Sequence, residues 1–150
     1  MPTSSNIKQA LIFDLSGVLL REEIDRVTVC KEGLSFVQQC KKANIRLLIL
    51  SNWDPESFVD LQKSFPELFS LFDEHDIFIP KKLGLRKPQP QCYELVIGHL
   101  GSDYELFFVD DSSRNVVAAQ ECSITSVLHT NWHDTQRQLK RLGLMVVDIE

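Results

Sequence analysis

Residues 7–17 read I-K-Q-A-L-I-F-D-L-S-G. The apolar run from Ala10 to Phe13 extends from Ile7 and halts at a carboxylate, Asp14, with Gly17 opening an unusual turn shortly after. A short apolar run ended by a charge is the pattern of a buried strand that delivers a side chain at its C-terminal end. Further along, Ile45 to Leu50 reads I-R-L-L-I-L and ends at Ser51 and Asn52. Leu106 to Val109 ends at Asp110 and Asp111. Such nearly continuous runs suit central strands of a parallel sheet, covered on both faces. Asp76 to Ile79 and Ile124 to Leu128 complete the strand series.

Helices are expected between these strands. In Glu32 to Ala43, Leu34, Val37 and Cys40 recur three apart, with acid early and Lys41 and Lys42 late, which matches the helix dipole. At Asp54-Pro55-Glu56 a carboxylate caps free amides and proline occupies the first turn, so a helix is expected through Leu61. Gln91 to Leu100 and Ser113 to Glu121 read as helices, and Trp132, Thr135, Leu139 and Leu142 mark a last amphipathic one. Pro80 to Pro90 is a loop carrying Lys81, Lys82, Arg86 and Lys87. Alternating strands and helices imply right-handed crossovers and an α/β, Rossmann-like three-layer sandwich with a central parallel sheet. At 150 residues the chain has room for one core, so residues 1–150 are expected to form a single domain.

Hydrophobic residues make up 43% and charged residues 25%, the balance of a globular domain. A net charge of -5 without a long basic run gives no general attraction to nucleic acid or anionic lipid. No segment approaches the roughly 20 apolar residues that span a bilayer, and residues 1–9 lack a signal-peptide core, so a cytoplasmic location and no membrane partner are expected. Cys30, Cys40, Cys92 and Cys122 form no CxxC pair and read as reduced, packed thiols. Trp132, Phe65, Phe69 and Phe72 are assigned to packing. His129 and His133 straddle a strand end and a helix start, so a helical metal-ligand pair is ruled out, and His75 and His99 carry no signal.

The chemistry-bearing residues Asp14, Ser51, Asn52, Asp110 and Asp111 all directly follow strands, where sites of parallel sheets lie. Carboxylates from different strand ends can hold one oxygen-seeking divalent cation, usually Mg²⁺, which also binds a phosphate oxygen. Ser51 and Asn52 can donate to phosphoryl oxygens and Lys87 can supply positive charge. Each residue has a plainer role open to it as well. Asp14 can cap a turn, Asp110-Asp111 a helix, and Ser51-Asn52 can punctuate a strand. The series as a whole favours phosphoryl transfer.

Four stretches in chain order, F-D-L-S-G-V-L-L (13–20), L-S-N-W-D (50–54), L-G-L-R-K-P-Q-P (83–90) and F-F-V-D-D-S-S-R-N-V (107–116), resemble the four motifs of the haloacid dehalogenase (HAD) superfamily. The third and fourth look most like its sugar-1-phosphate phosphatase branch. The resemblance implies a HAD-like hydrolase, a phosphatase acting through a phospho-aspartate, with Asp14 as nucleophile and metal ligand. It also assigns the Ser16 backbone carbonyl to the metal, Ser51 and Asn52 to the phosphoryl group, and Lys87 to catalysis and phosphoryl binding. Asp111 becomes the main fourth-motif ligand for Mg²⁺ with Asp110 beside it, and Asn115 supports that shell.

Two departures from the family pattern stand out. Position 16, usually a second aspartate acting as acid and base, is Ser16, a poor proton donor near neutral pH, so impaired turnover is expected. Gly17 to Cys30 is too short to form a cap domain, and an uncapped site is wet unless another subunit or a bulky substrate covers it. The implied partners are a phosphorylated small molecule or a phosphoprotein as substrate, with a homo-oligomer as one way of closing the site. A non-catalytic HAD-fold protein binding a phosphorylated ligand or a protein is the alternative, and a dehalogenase is disfavoured by the paired acids Asp110-Asp111.

Overall fold

In the computed structural model, which describes residues 7–79 and 84–146, Ala10 to Phe13 lie at the centre of the sheet. They belong to β1 (Lys8–Phe13), which pairs in parallel with β4 (Arg46–Leu50) on one side and β6 (Tyr104–Asp110) on the other. Beyond them lie β5 (Ile77–Phe78) and β7 (Thr125–Leu128), giving the order β5-β4-β1-β6-β7. The register sets Leu11 beside both Leu47 and Phe107. Continuous apolar runs are needed here because both faces are covered.

The pleat divides β1 between two cores. Leu11 and Phe13 join Phe36, Val37 and Cys40 of α1 (Lys31–Lys42), Phe58 and Leu61 of α2 (Pro55–Ser64), and Trp132 and Leu139 of α6 (Trp132–Arg141). Ala10 and Ile12 join Cys92, Tyr93 and Val96 of α4 (Pro90–Leu100) and Ala119 of α5 (Ser113–Glu121). The fold is therefore the three-layer α/β sandwich that the alternation implied. Truncating Phe13, which is fully buried and edge-on to Phe72 at 6.0 Å, would cost about 3–5 kcal/mol.

The helix starts follow their caps. Asp54, Ser112 and Asn131 each accept a backbone N–H from the first turn of α2, α5 and α6. Several elements run beyond their sequence limits: α2 continues to Ser64, α3 (Pro66–Phe69) follows it, and β6 begins at Tyr104. The chief addition is a hairpin, β2 (Leu20–Glu23) with β3 (Arg26–Val29), between Gly17 and Cys30, where no element was expected. Only Leu20 of β2 is buried, so the ribbon lacks the alternation that identifies a strand. It is anchored instead by backbone bonds, Gly17 N–H to Leu20 O at 2.8 Å and Cys30 N–H to Leu19 O at 2.9 Å.

At the sheet end opposite Asp14, Asp76 is buried and takes two bonds from Arg46, at 2.9 and 3.0 Å, and one from His99 at 2.8 Å. Burial works against its ionisation, but Arg46 and His99 outweigh that and hold the carboxyl below its ordinary value. Phe69, Phe72 and Trp132 are core residues, with Phe65 packed against them. All four cysteines are free, with Cys122 half-buried and the other three buried. Lys81 and Lys82 lie outside the described residues. No helix among the described residues is long and apolar enough to cross a membrane.

Candidate active site

Because the strands are parallel, their C-terminal ends meet along one edge of the sheet, and each of β1, β4 and β6 delivers its polar residues there. Asp14 follows β1 with its N–H on Val109 O at 3.0 Å; Ser51 and Asn52 follow β4; Asp110 ends β6 and Asp111 succeeds it. These residues, with Ser16, Glu22 and Lys87, line one cavity of about 480 Å³. All the residues expected to form the site are thus brought together.

Lys87 stands at its centre. Its side chain is 1% exposed, and its ammonium donates to Asp14 Oδ1 at 2.9 Å and to Asp110 Oδ2 at 2.8 Å. A buried lysine needs such partners, because an isolated charge away from water is costly. Burial is the largest influence on Asp14. It raises the carboxyl from an ordinary 3.8 to about 7, with Asp110 adding to the rise and Lys87 opposing it.

Asp110 is fully buried, and both of its oxygens are engaged. Oδ2 accepts from Lys87 and from Asn115 Nδ2 at 3.0 Å, and Oδ1 accepts the Ser112 N–H at 2.9 Å. Asn115 is itself tied to α4 through the Tyr93 hydroxyl, which donates to its carbonyl at 3.1 Å. Asp111, by contrast, is exposed, and partial desolvation with the negative Asp110 raises its carboxyl. One oxygen from each of Asp14, Asp110 and Asp111 falls within 4.8 Å of the others. An all-carboxylate set of this compactness fits a hard divalent cation such as Mg²⁺, with Asp14 and Asp111 the less encumbered donors.

The remaining residues have specific partners. Ser51 is buried, and its Oγ accepts the Trp53 N–H at 3.0 Å, which leaves its hydroxyl proton for a ligand. Asn52 pairs with the backbone of Lys87 in both directions, Lys87 N–H to Oδ1 at 3.0 Å and Nδ2 to Lys87 O at 3.1 Å. The Ser16 hydroxyl donates to the Glu22 carboxylate of β2. Glu22 is the residue that sequence reasoning missed, since it belongs to the hairpin that lacked a strand signature. The histidines stay outside the cavity. His129 is buried, with Nδ1 2.6 Å from Thr135 Oγ1, so it has the packing role expected of it.

Comparison with known proteins identifies the family to which this fold belongs. A family description of haloacid dehalogenase-like hydrolases matches residues 21–122. The chain is 30% identical over 109 residues to the sesquiterpene phosphatase astK of Aspergillus oryzae, covering 72% of this chain and 54% of that protein. It is likewise 30% identical over 126 residues to the drimenol cyclase drtB of Aspergillus calidoustus, covering 83% of this chain and 23% of that protein. The chain thus spans about half or less of the length of these curated relatives. Its fold resembles that of a HAD phosphatase from Thermococcus onnurineus, with a TM-score of 0.70, 14% identity, and coverage of 93% of this chain and 100% of that one. It also resembles a HAD family enzyme from Bacteroides thetaiotaomicron in complex with magnesium and inorganic phosphate, with a TM-score of 0.68, 16% identity, and coverage of 85% and 98%. The chain belongs to the haloacid dehalogenase-like hydrolase family.

Proposed function

We propose that the protein is a Mg²⁺-dependent phosphatase that hydrolyses phosphate monoesters through a phosphoryl-aspartate on Asp14. The observation that carries this reading is the buried Lys87 ammonium spanning Asp14 and Asp110 beside the acidic cluster. Asp14, a fixed positive charge and the three clustered carboxylates share one cavity, which supports roles as nucleophile, electrostatic stabiliser and cation site. Asp14, Asp110 and Asp111 would hold the Mg²⁺, with the Ser16 carbonyl as a further contact. Bound there, Mg²⁺ neutralises charge on the phosphoryl oxygens and favours ionised Asp14.

In the first step an Asp14 oxygen bonds to phosphorus as the bond to the leaving oxygen breaks, with Ser51 and Lys87 donating to the phosphoryl oxygens. In the second, water attacks phosphorus, releasing inorganic phosphate and regenerating Asp14. An alkoxide leaving group requires a proton and the attacking water must lose one. The Ser16 hydroxyl alone is poorly suited to either task, and Glu22, bonded to it at the same cavity, is the group in position to exchange that proton.

Glu22 of the hairpin lines the cavity, and among the described residues no cap domain follows Asp14. A bulky phosphorylated small molecule, a phosphoprotein, or a second subunit over the opening would each exclude water from it. Similarity to a protein named as a sesquiterpene phosphatase supports a small-molecule phosphate ester. The second reading, a non-catalytic protein binding a phosphorylated ligand or a protein partner, is favoured by Ser16 at the acid-base position and by the absence of a cap after Asp14 among the described residues. A panel of phosphate esters assayed with and without Mg²⁺ on wild type and Asp14→Asn separates the two. Turnover that requires both Mg²⁺ and Asp14 is expected, and binding without turnover of any ester would leave the second reading.

A further inference from the structure

We propose that Asn52 is a positioning residue that acts through Lys87 instead of holding the phosphoryl group. This inference rests on the phosphatase reading of the site. The family resemblance assigns Asn52 to phosphoryl binding beside Ser51, but its side chain is already committed. Its carbonyl oxygen takes the Lys87 N–H at 3.0 Å, and its amide nitrogen donates to the Lys87 carbonyl at 3.1 Å. A reciprocal pair of this kind reproduces the donor and acceptor pattern of one paired strand residue, fixing both the height and the rotation of the Lys87 peptide. Among the described residues, no other bond to that backbone N–H or carbonyl is made.

The requirement for such a clamp follows from Lys87 itself. Lysine is a point charge on a flexible stem. Here the ammonium must reach both Asp14, at 2.9 Å, and Asp110, at 2.8 Å, from a loop 73 residues after one and 23 before the other. Asn52 links that loop to the end of β4, on the rigid sheet that also carries Asp14. Amide chemistry is specific for the task. An aspartate would keep the bond to the Lys87 N–H, but it would face the Lys87 carbonyl with a second acceptor and add another negative charge to an acidic cavity. Ser51, whose Oγ accepts the Trp53 N–H, keeps its hydroxyl proton for the phosphoryl oxygen, so the two neighbours divide the work.

The test is a double-mutant cycle on the full chain, using an aryl phosphate with saturating Mg²⁺. Asn52→Ala is expected to lower kcat about 10–100-fold, the usual range for a residue that orients a catalytic group, with KM little changed. In a Lys87→Met background the same substitution should change the rate by less than about twofold, because the residue through which it acts is gone. Losses that multiply in the double variant would overturn the proposal, as would a raised KM with kcat kept, since either means that Asn52 touches the substrate. Melting curves identify variants that fail to fold, and Lys87→Gln replaces Lys87→Met if needed. Hydrogen exchange gives a readout independent of turnover: residues 84–90 should exchange faster in Asn52→Ala but not in Ser51→Ala. Unchanged exchange in Asn52→Ala contradicts the clamp even if no ester is hydrolysed, whereas a wild type without turnover contradicts only the phosphatase reading.

Discussion

A β-carbon on Gly17 would stand 2.0 Å from Asp111 Oδ2, at a backbone position whose φ of +82° already disfavours side chains. The turn after β1 therefore passes directly against the acidic cluster, with room for hydrogen only. Gly17→Ala is expected to displace Asp111 and weaken Mg²⁺ binding about 10–100-fold by titration calorimetry. Gly101 is the matched control. It shares the positive φ, at +81°, but a β-carbon there would meet nothing within 4 Å. Equal Mg²⁺ affinity in Gly17→Ala and Gly101→Ala would show that the close approach to Asp111 has no part in holding the cation.

Asp111→Ala should remove Mg²⁺ dependence and activity together, since Asp111 is the exposed member of the cluster while both oxygens of Asp110 serve Lys87, Asn115 and the Ser112 amide. The core is distant, so the melting temperature in EDTA should fall by no more than an ordinary surface substitution allows. Undiminished Mg²⁺ affinity in this variant would remove Asp111 from the site.

Burial lifts the Asp14 carboxyl to about 7 against the pull of Lys87, from an ordinary 3.8. Between those values the cation-free native protein holds a proton that the unfolded chain has released. The contribution of this group to stability is therefore full below the ordinary value and is lost as pH rises through about 7. In EDTA, wild type should lose melting temperature from about pH 4 to pH 8 relative to Asp14→Asn, by the equivalent of a few kcal/mol. Added Mg²⁺ should narrow that gap at the upper end. A difference between the two proteins that stays constant across the range would contradict the raised carboxyl.

Most of the sheet and the whole acid cluster could be read from the sequence, because strands buried on both faces are continuous apolar runs and the site residues follow them directly. Asp14, Ser51, Asp110 and Asp111 needed no tertiary information beyond that rule. The hairpin could not be read, since β2 buries only Leu20 and is fixed by backbone bonds to residues 15–19, which leave no pattern in the side chains. Glu22 was invisible for the same reason. Nor could a bond between Asn52 and a backbone 35 residues away be inferred from residue type. The sequence shows that an asparagine at a strand end can donate and accept, but not which backbone it meets.

Glu22→Gln preserves size and a hydrogen bond to Ser16 but cannot exchange a proton. Alkyl phosphates should slow by about 10²–10⁴. Aryl phosphates, whose leaving oxygen needs no proton, should keep a fast first turnover and slow only in steady state, as a burst in stopped-flow traces. Identical behaviour of Glu22→Gln and wild type on both ester classes would exclude Glu22 from the proton transfer.

The covalent intermediate is the central claim, and trapping it is the most direct test. Wild type mixed with an aryl phosphate and Mg²⁺, quenched in acid within the first turnovers and digested, should yield one phosphoryl group on the peptide containing Asp14 by mass spectrometry. The adduct should be labile to hydroxylamine, as an acyl phosphate is, and absent in EDTA and in Asp14→Asn. Ester hydrolysis at the wild-type rate by Asp14→Asn, or turnover with no phosphoryl group ever found on Asp14, would contradict the account.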